Sequence, residues 1–84
     1  MNSNVVNTLF SNIDKIHTTQ MGIGRIKRNL KLDLDDGDVV DYCIKRIKEY
    51  DEVILKGKNY YIHVDDMIFT VNRNSFTIIT AHLK

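Results

Sequence analysis

The chain has 84 residues, 43% of them hydrophobic and 27% charged, with a formal net charge of +1. That length holds one core and no second one, and the composition excludes a disordered, fibrous or collagenous chain. The near-neutral total falls short of the basic excess typical of a dedicated nucleic-acid domain.

The single cysteine, Cys43, rules out an intramolecular disulfide and fits a reducing compartment. No basic stretch leads into an apolar run near Met1, so neither a signal peptide nor a membrane span is expected, and the default location is the cytoplasm. Charge is uneven along the chain. Residues 1–32 set Lys15, Arg25, Lys27, Arg28 and Lys31 against Asp14, whereas residues 33–41 carry Asp33, Asp35, Asp36, Asp38 and Asp41.

Val5, Val6, Leu9, Phe10, Ile13 and Ile16 recur at helical spacing after Asn2, Ser3 and Asn4, any of which can cap the start, so a first helix is predicted over 4–15. A second is predicted over 19–30, where a hydroxyl of His17-Thr-Thr can accept the first free amides. Ile23, Ile26 and Leu30 share its inner face, and Arg25, Lys27, Arg28 and Lys31 fan across the outer one. The run Asp33 to Gly37 interrupts the pattern. Asp38 and Asp41 imitate a capping box before a third helix over 39–50, with Val39, Val40, Cys43, Ile44 and Ile47 as its apolar stripe.

Beyond Asp51 the period changes to alternation, predicting strands over 52–56, 59–64, 67–72 and 75–82, separated by the two-residue turns Gly57-Lys58, Asp65-Asp66 and Arg73-Asn74. Such turns fix register: Leu55 faces Tyr60, Ile62 faces Phe69, Val64 faces Met67, Val71 faces Phe76 and Phe69 faces Ile78. The expected fold is a single α+β domain, with three N-terminal helices packed on one face of a four-stranded antiparallel β-meander. Thr80 falls on the helix side in this register. The open side collects Asn59, Tyr61, His63, Thr70, Asn72, Ser75 and Thr77, with Ile54, Ile68, Ile79 and Ala81.

The chemistry-bearing residues have plain structural readings beside the functional ones. The Asp33–Asp38 run lacks EF-hand spacing and a closing glutamate, which favours a helix-capping acidic loop over calcium. His17, His63 and His82 have no companion at metal-ligand spacing, and His63 and His82 fall on opposite faces in the predicted register, so no metal and no cofactor are expected. Cys43 reads as a core thiol. The basic face of the second helix reads either as a solvated surface or as phosphate contacts. On the open face, His63 beside Tyr61, Asn59, Asn72 and Thr77 is a set able to do general acid and base work on a phosphodiester.

Through His17-Thr-Thr, the stretch Gly-Ile-Gly-Arg-Ile-Lys-Arg-Asn-Leu at 22–30, Gly57-Lys-Asn-Tyr-Tyr and Thr77-Ile-Ile-Thr-Ala-His, nearly the whole chain resembles a family of short bacterial proteins known only as a domain of unknown function. More distantly, its N-terminal helices before a four-stranded meander, ending in Ile78-Ile79-Thr80-Ala81, resemble the RelE, colicin and barnase group of endoribonuclease domains. That second resemblance implies His17, Arg25, Arg28, Lys58 and Thr80 as residues that bind or cleave RNA.

Two functional readings arise from the sequence. One is an RNA-interacting protein acting as a metal-independent endoribonuclease of the toxin type. It uses His17, His63 and Arg25 for chemistry, with Lys27, Arg28, Lys31, Lys58, Tyr61, Asn72 and Thr77 for nucleic acid or a partner. The other is a non-enzymatic regulator or inhibitor that binds protein, antitoxin-like or carried by a mobile element such as an anti-CRISPR. It would engage a protein partner, or a second copy, through the open sheet face.

Overall fold

The first periodic segment meets a stop signal earlier than its apolar spacing implies. In the computed structural model, which describes residues 3–84, helix α1 spans Ser3–Ser11 and a separate 3-10 turn spans Ile13–Lys15. The break falls at Asn12, whose side-chain amide turns back to donate to the Thr8 carbonyl at 2.9 Å while its backbone N–H bonds Leu9 O at 3.1 Å. An asparagine that satisfies the free carbonyls of a last turn competes with helix continuation. Ser3 and Asn4 lie within α1, and Asn2, the other expected cap, lies outside the described residues.

Helix α2 runs Gln20–Leu30, close to expectation, because Thr19 caps it: its Oγ1 accepts the Gly22 N–H at 3.0 Å. Lys31 closes the helix in the left-handed conformation, its N–H on Lys27 O. Helix α3 spans Asp36–Ile47, beginning and ending three residues before the expected bounds of 39–50. Asp35 occupies the cap position and makes no side-chain cap bond, and Asp36 and Asp38 sit in the first turn, where carboxylates favour the helix dipole. Asp38 and Asp41 are therefore helical residues of α3 and form no capping box.

Strands β1 (Glu52–Lys56), β2 (Asn59–Val64), β3 (Met67–Asn72) and β4 (Ile78–Leu83) make one antiparallel sheet in the order β1-β2-β3-β4. Gly57, at φ 63°, and Asp65, at φ 53°, allow the two tight turns, and the β1–β2 and β2–β3 registers are those expected. The third connection differs. Asn72 Oδ1 accepts the N–H groups of Asn74 and Ser75, both at 2.9 Å, so residues 73–77 form a wider loop and β4 starts three residues later than 75.

A bulge at Ile79 compounds the change: Val71 pairs with Ile78, but Thr70 pairs with Thr80, Phe69 with Ala81 and Ile68 with His82. One extra residue inverts the facing of every later position in the strand. Ala81, expected on the open face, is wholly buried beneath the helices, and Thr80, expected on the helix side, shares the open face with Thr70 and Tyr61. His82 joins His63 on the open face instead of opposing it.

All three helices pack on one side of the sheet. The core joins Leu9, Ile16, Ile26, Val39, Cys43 and Ile47 to Val53, Ile62, Val64, Phe69, Val71 and Ile78. Phe69, the largest fully buried side chain, stabilises the fold by about 1.5–3 kcal/mol through removal of its ring from water. The segment before α2 lies along the outer edge of β4. His17 and Thr77 form a parallel bridge, with His17 N–H to Phe76 O at 3.2 Å and Ile78 N–H to His17 O at 2.7 Å. That bridge covers part of an edge that would otherwise pair with another chain. Among the described residues no helix is long and apolar enough to cross a membrane.

Candidate functional site

Cross-strand pairing sorts the open face into rows. One row reads Glu52, His63, Ile68, His82, and the next reads Ile54, Tyr61, Thr70, Thr80. Lys56, Asn59 and Asn72 form the third. Ile54, Lys56, Tyr61, His63, Ile68 and His82 line a depression of about 520 Å³. Ile54 and half-buried Ile68 supply its apolar lining, Ile68 pairing with His63 on one side and His82 on the other. Its polar lining is two imidazoles, one ammonium and one phenol.

Distances follow from sheet geometry. Strands lie about 4.8 Å apart, so His63 on β2 and His82 on β4, separated only by Ile68 on β3, have backbones about 10 Å apart. Their rings point to the same side of the sheet, leaving room for a ligand between them. Glu52 on β1 stands directly opposite His63 in the register. Lys56, exposed at the far end of β1, supplies a cation to the same depression.

The other expected residues lie elsewhere. His17 is exposed and held at both ring nitrogens, Nδ1 at 2.8 Å from the Lys15 carbonyl and Nε2 at 3.1 Å from Thr77 Oγ1. Thr77 Oγ1 in turn lies 2.8 Å from Ser75 Oγ, and Ser75 Oγ–H donates to Asn72 Oδ1 at 3.3 Å. Asn72 and Thr77 are thus engaged in shaping the 73–77 loop. Phe76, in that loop, takes a left-handed φ of 59° and stacks on Tyr60 with ring centroids 6.3 Å apart. The aromatic contact accompanies a conformation that a bulky residue rarely adopts.

Arg25 Nη1 donates to the Ile79 carbonyl at 3.5 Å, and Arg25 lines a separate groove with Gln20, Met21, Gly24 and Arg28. Lys27 forms an ion pair with Asp36 at 3.0 Å, and that bond, with the Gln20 amide on the same carboxylate, holds Asp36 below the usual aspartate range. Lys31 is the exposed cap of α2, and Lys58 sits exposed in the β1–β2 turn, its carbonyl bound by Arg73 N–H at 2.8 Å. His17, Arg25 and His63 are therefore not brought into one site.

A model of the family described as "Protein of unknown function (DUF3781)" matches residues 10–82, most of the chain. The chain belongs to this family. No curated protein and no solved structure matches it. In this DUF3781 domain the matched segment carries both the open-face depression and the whole of α2. The family's description assigns no chemistry, so function has to be read from the residues of the site.

His82 and Lys56 line the depression and are not among the candidates the sequence offers. A signal for a wider loop exists: Asn72-Arg73-Asn74-Ser75 is a run of four turn-forming or polar residues, longer than a two-residue hairpin needs. That loop moves Ile78 from Phe69 to Val71, both inward-facing, and it is the bulge at Ile79 that turns His82 over. Among the described residues no three of His, Cys, Asp and Glu stand close enough to hold a metal ion. Cys43 is buried on α3, and loss of hydration pushes its thiol up to about 12, which keeps it neutral and unreactive.

Proposed function

We propose that this protein binds single-stranded RNA on its open sheet face and cleaves it without a metal ion. The observation that carries the reading is the row His63, Ile68, His82, which sets two imidazoles on one face beside Lys56 and Tyr61. Metal-independent cleavage needs a base to take the proton of a 2′-hydroxyl as its oxygen attacks phosphorus. It also needs an acid to protonate the departing 5′-oxygen, and a cation for the charge gathering on the phosphoryl oxygens.

In this scheme one of His63 and His82 is the base and the other the acid, on either side of the reacting phosphate. Lys56 meets the phosphoryl charge. Tyr61, with Ile54 and Ile68 beside it, offers a surface on which an unstacked base can lie, as proteins reading single-stranded RNA use aromatic side chains.

The test is incubation of the purified protein with RNA in EDTA, beside His63→Ala, His82→Ala and His17→Ala variants of checked fold. Loss of either open-face histidine is expected to slow cleavage by about 10²- to 10⁴-fold. The His17 variant retains cleavage, since its ring lies outside the depression. RNA left intact by the natural protein would sink the catalytic reading.

A second reading rests on Ile54 and Ile79, exposed apolar side chains, with half-buried Ile68 on the open face. They suit a non-enzymatic module whose open face meets a protein partner or a second copy of the chain. A stable dimer by light scattering that dissociates in an Ile54→Lys variant would favour it.

A further inference from the structure

We propose that the groove on α2 lined by Gln20, Met21, Gly24, Arg25 and Arg28, about 350 Å³ in volume, is a second subsite for the same single-stranded RNA. The strand would leave the open face across the outer edge of β4. This inference rests on the RNA reading above and extends it from the reacting phosphodiester to the neighbouring stretch of backbone.

Four cations lie on or at the end of α2, but they are not equivalent. Lys27 is committed to Asp36, and Lys31 closes the helix away from the groove. Arg25 and Arg28 have no carboxylate partner among the described residues, and both line the one depression. Two exposed guanidinium groups lining one groove without an acid suit an anion, because their planar forks match phosphate oxygens.

Local structure places these groups. Gly24 leaves the space that Arg28 uses, since a Cβ there would lie 3.3 Å from Arg28 Nη1. Arg25 is aimed over the edge of β4 by its bond to the Ile79 carbonyl. Ile79 is the bulge residue, Thr80 follows it on the open face, and His82 lies two residues beyond that. At about 3.3 Å per residue, the path from His82 to the Arg25 contact is about 10 Å, a short stretch of extended nucleic-acid backbone. Met21, 76% exposed beside both arginines, adds a flexible apolar surface against which a base can rest. Of the first amides of α2, those of Gly22 and Ile23 are already taken by Thr19.

The probe is a 2′-O-methyl RNA strand of about ten nucleotides, which cannot be cleaved and is long enough to cross both sites. Its binding constant is measured against salt concentration for the natural protein, for Arg25→Gln/Arg28→Gln, and for Lys45→Gln/Lys48→Gln, which removes the same charge from α3 and its C-cap. Removing two phosphate contacts on a single strand is expected to flatten the slope of log K against log salt by about 1.4 and to weaken binding about ten-fold at low salt. The lysine pair is expected to change the slope far less.

An arginine variant with the natural slope, or a lysine variant that flattens it equally, overturns the subsite. No salt-dependent binding by the natural protein overturns it as well. Because the probe is inert, these results stand apart from the cleavage assay. Intact RNA there with a slope lost only in the arginine variant removes the catalysis and keeps the subsite.

Discussion

Gly22 shows how much a single atom decides in this fold. By helix propensity, alanine at a position inside α2 is favoured over glycine by about 1 kcal/mol. Yet a Cβ at Gly22 would stand 2.1 Å from Thr18 Oγ1, and that hydroxyl donates to the Ile78 carbonyl at 3.0 Å, joining the approach to α2 to the start of β4. Gly22→Ala therefore displaces Thr18 and breaks the link. We expect a net loss of about 1–3 kcal/mol in urea unfolding, with part of it recovered in a Thr18→Ala/Gly22→Ala double variant that removes the clash. In the sequence alone Gly22 is a weakness of the first turn; its value lies in a neighbour that only the folded chain supplies.

Between elements, the clearest link is the pair Lys27 and Asp36, which ties α2 to the first turn of α3. Bonds from Lys27 and Gln20 lower the Asp36 pKa, so the folded state binds its proton less readily than the unfolded chain does. A carboxylate of this kind contributes stability above its unfolded pKa and loses that contribution as pH falls through the folded one. Asp36→Asn should thus be less stable than the natural protein near pH 7, with the gap closing under acid. Urea midpoints measured at neutral and acid pH check this, and a constant gap would refute it. Because the carboxylate is largely solvated and Lys27 partly so, the effect is small and falls with added salt. The same pairing removes Lys27 from the free cations with which a count of charges along the sequence groups it.

The whole molecule buries one thiol, and that thiol reports on the whole molecule. Cys43 sits among α3 core residues with no exposure, so a thiol reagent reaches it only when the fold opens. Labelling in native buffer should be suppressed by at least about a thousand-fold relative to the denatured chain, as expected for a domain of ordinary stability. Its raised pKa also sets a sign at high pH. The unfolded thiol ionises near 9 while the folded one holds its proton to about 12, so stability falls as pH rises through that interval. Labelling as fast in native buffer as in guanidinium would contradict the burial.

Periodicity, turn chemistry and capping residues are local, and they determined the order of elements, the α+β class, the inward stripes of the helices and the register of the first three strands. Leu55 with Tyr60 and Ile62 with Phe69 pair as two-residue turns require. The last strand escaped that logic because its facing depends on a loop closed by Asn72 and a bulge at Ile79, held from outside by His17, Thr18 and Arg25. Contacts between residues some sixty positions apart leave no periodic trace in the chain. Tertiary structure alone therefore placed His82 beside His63, set His17 apart from both, and left Arg25 and Arg28 in a groove of their own.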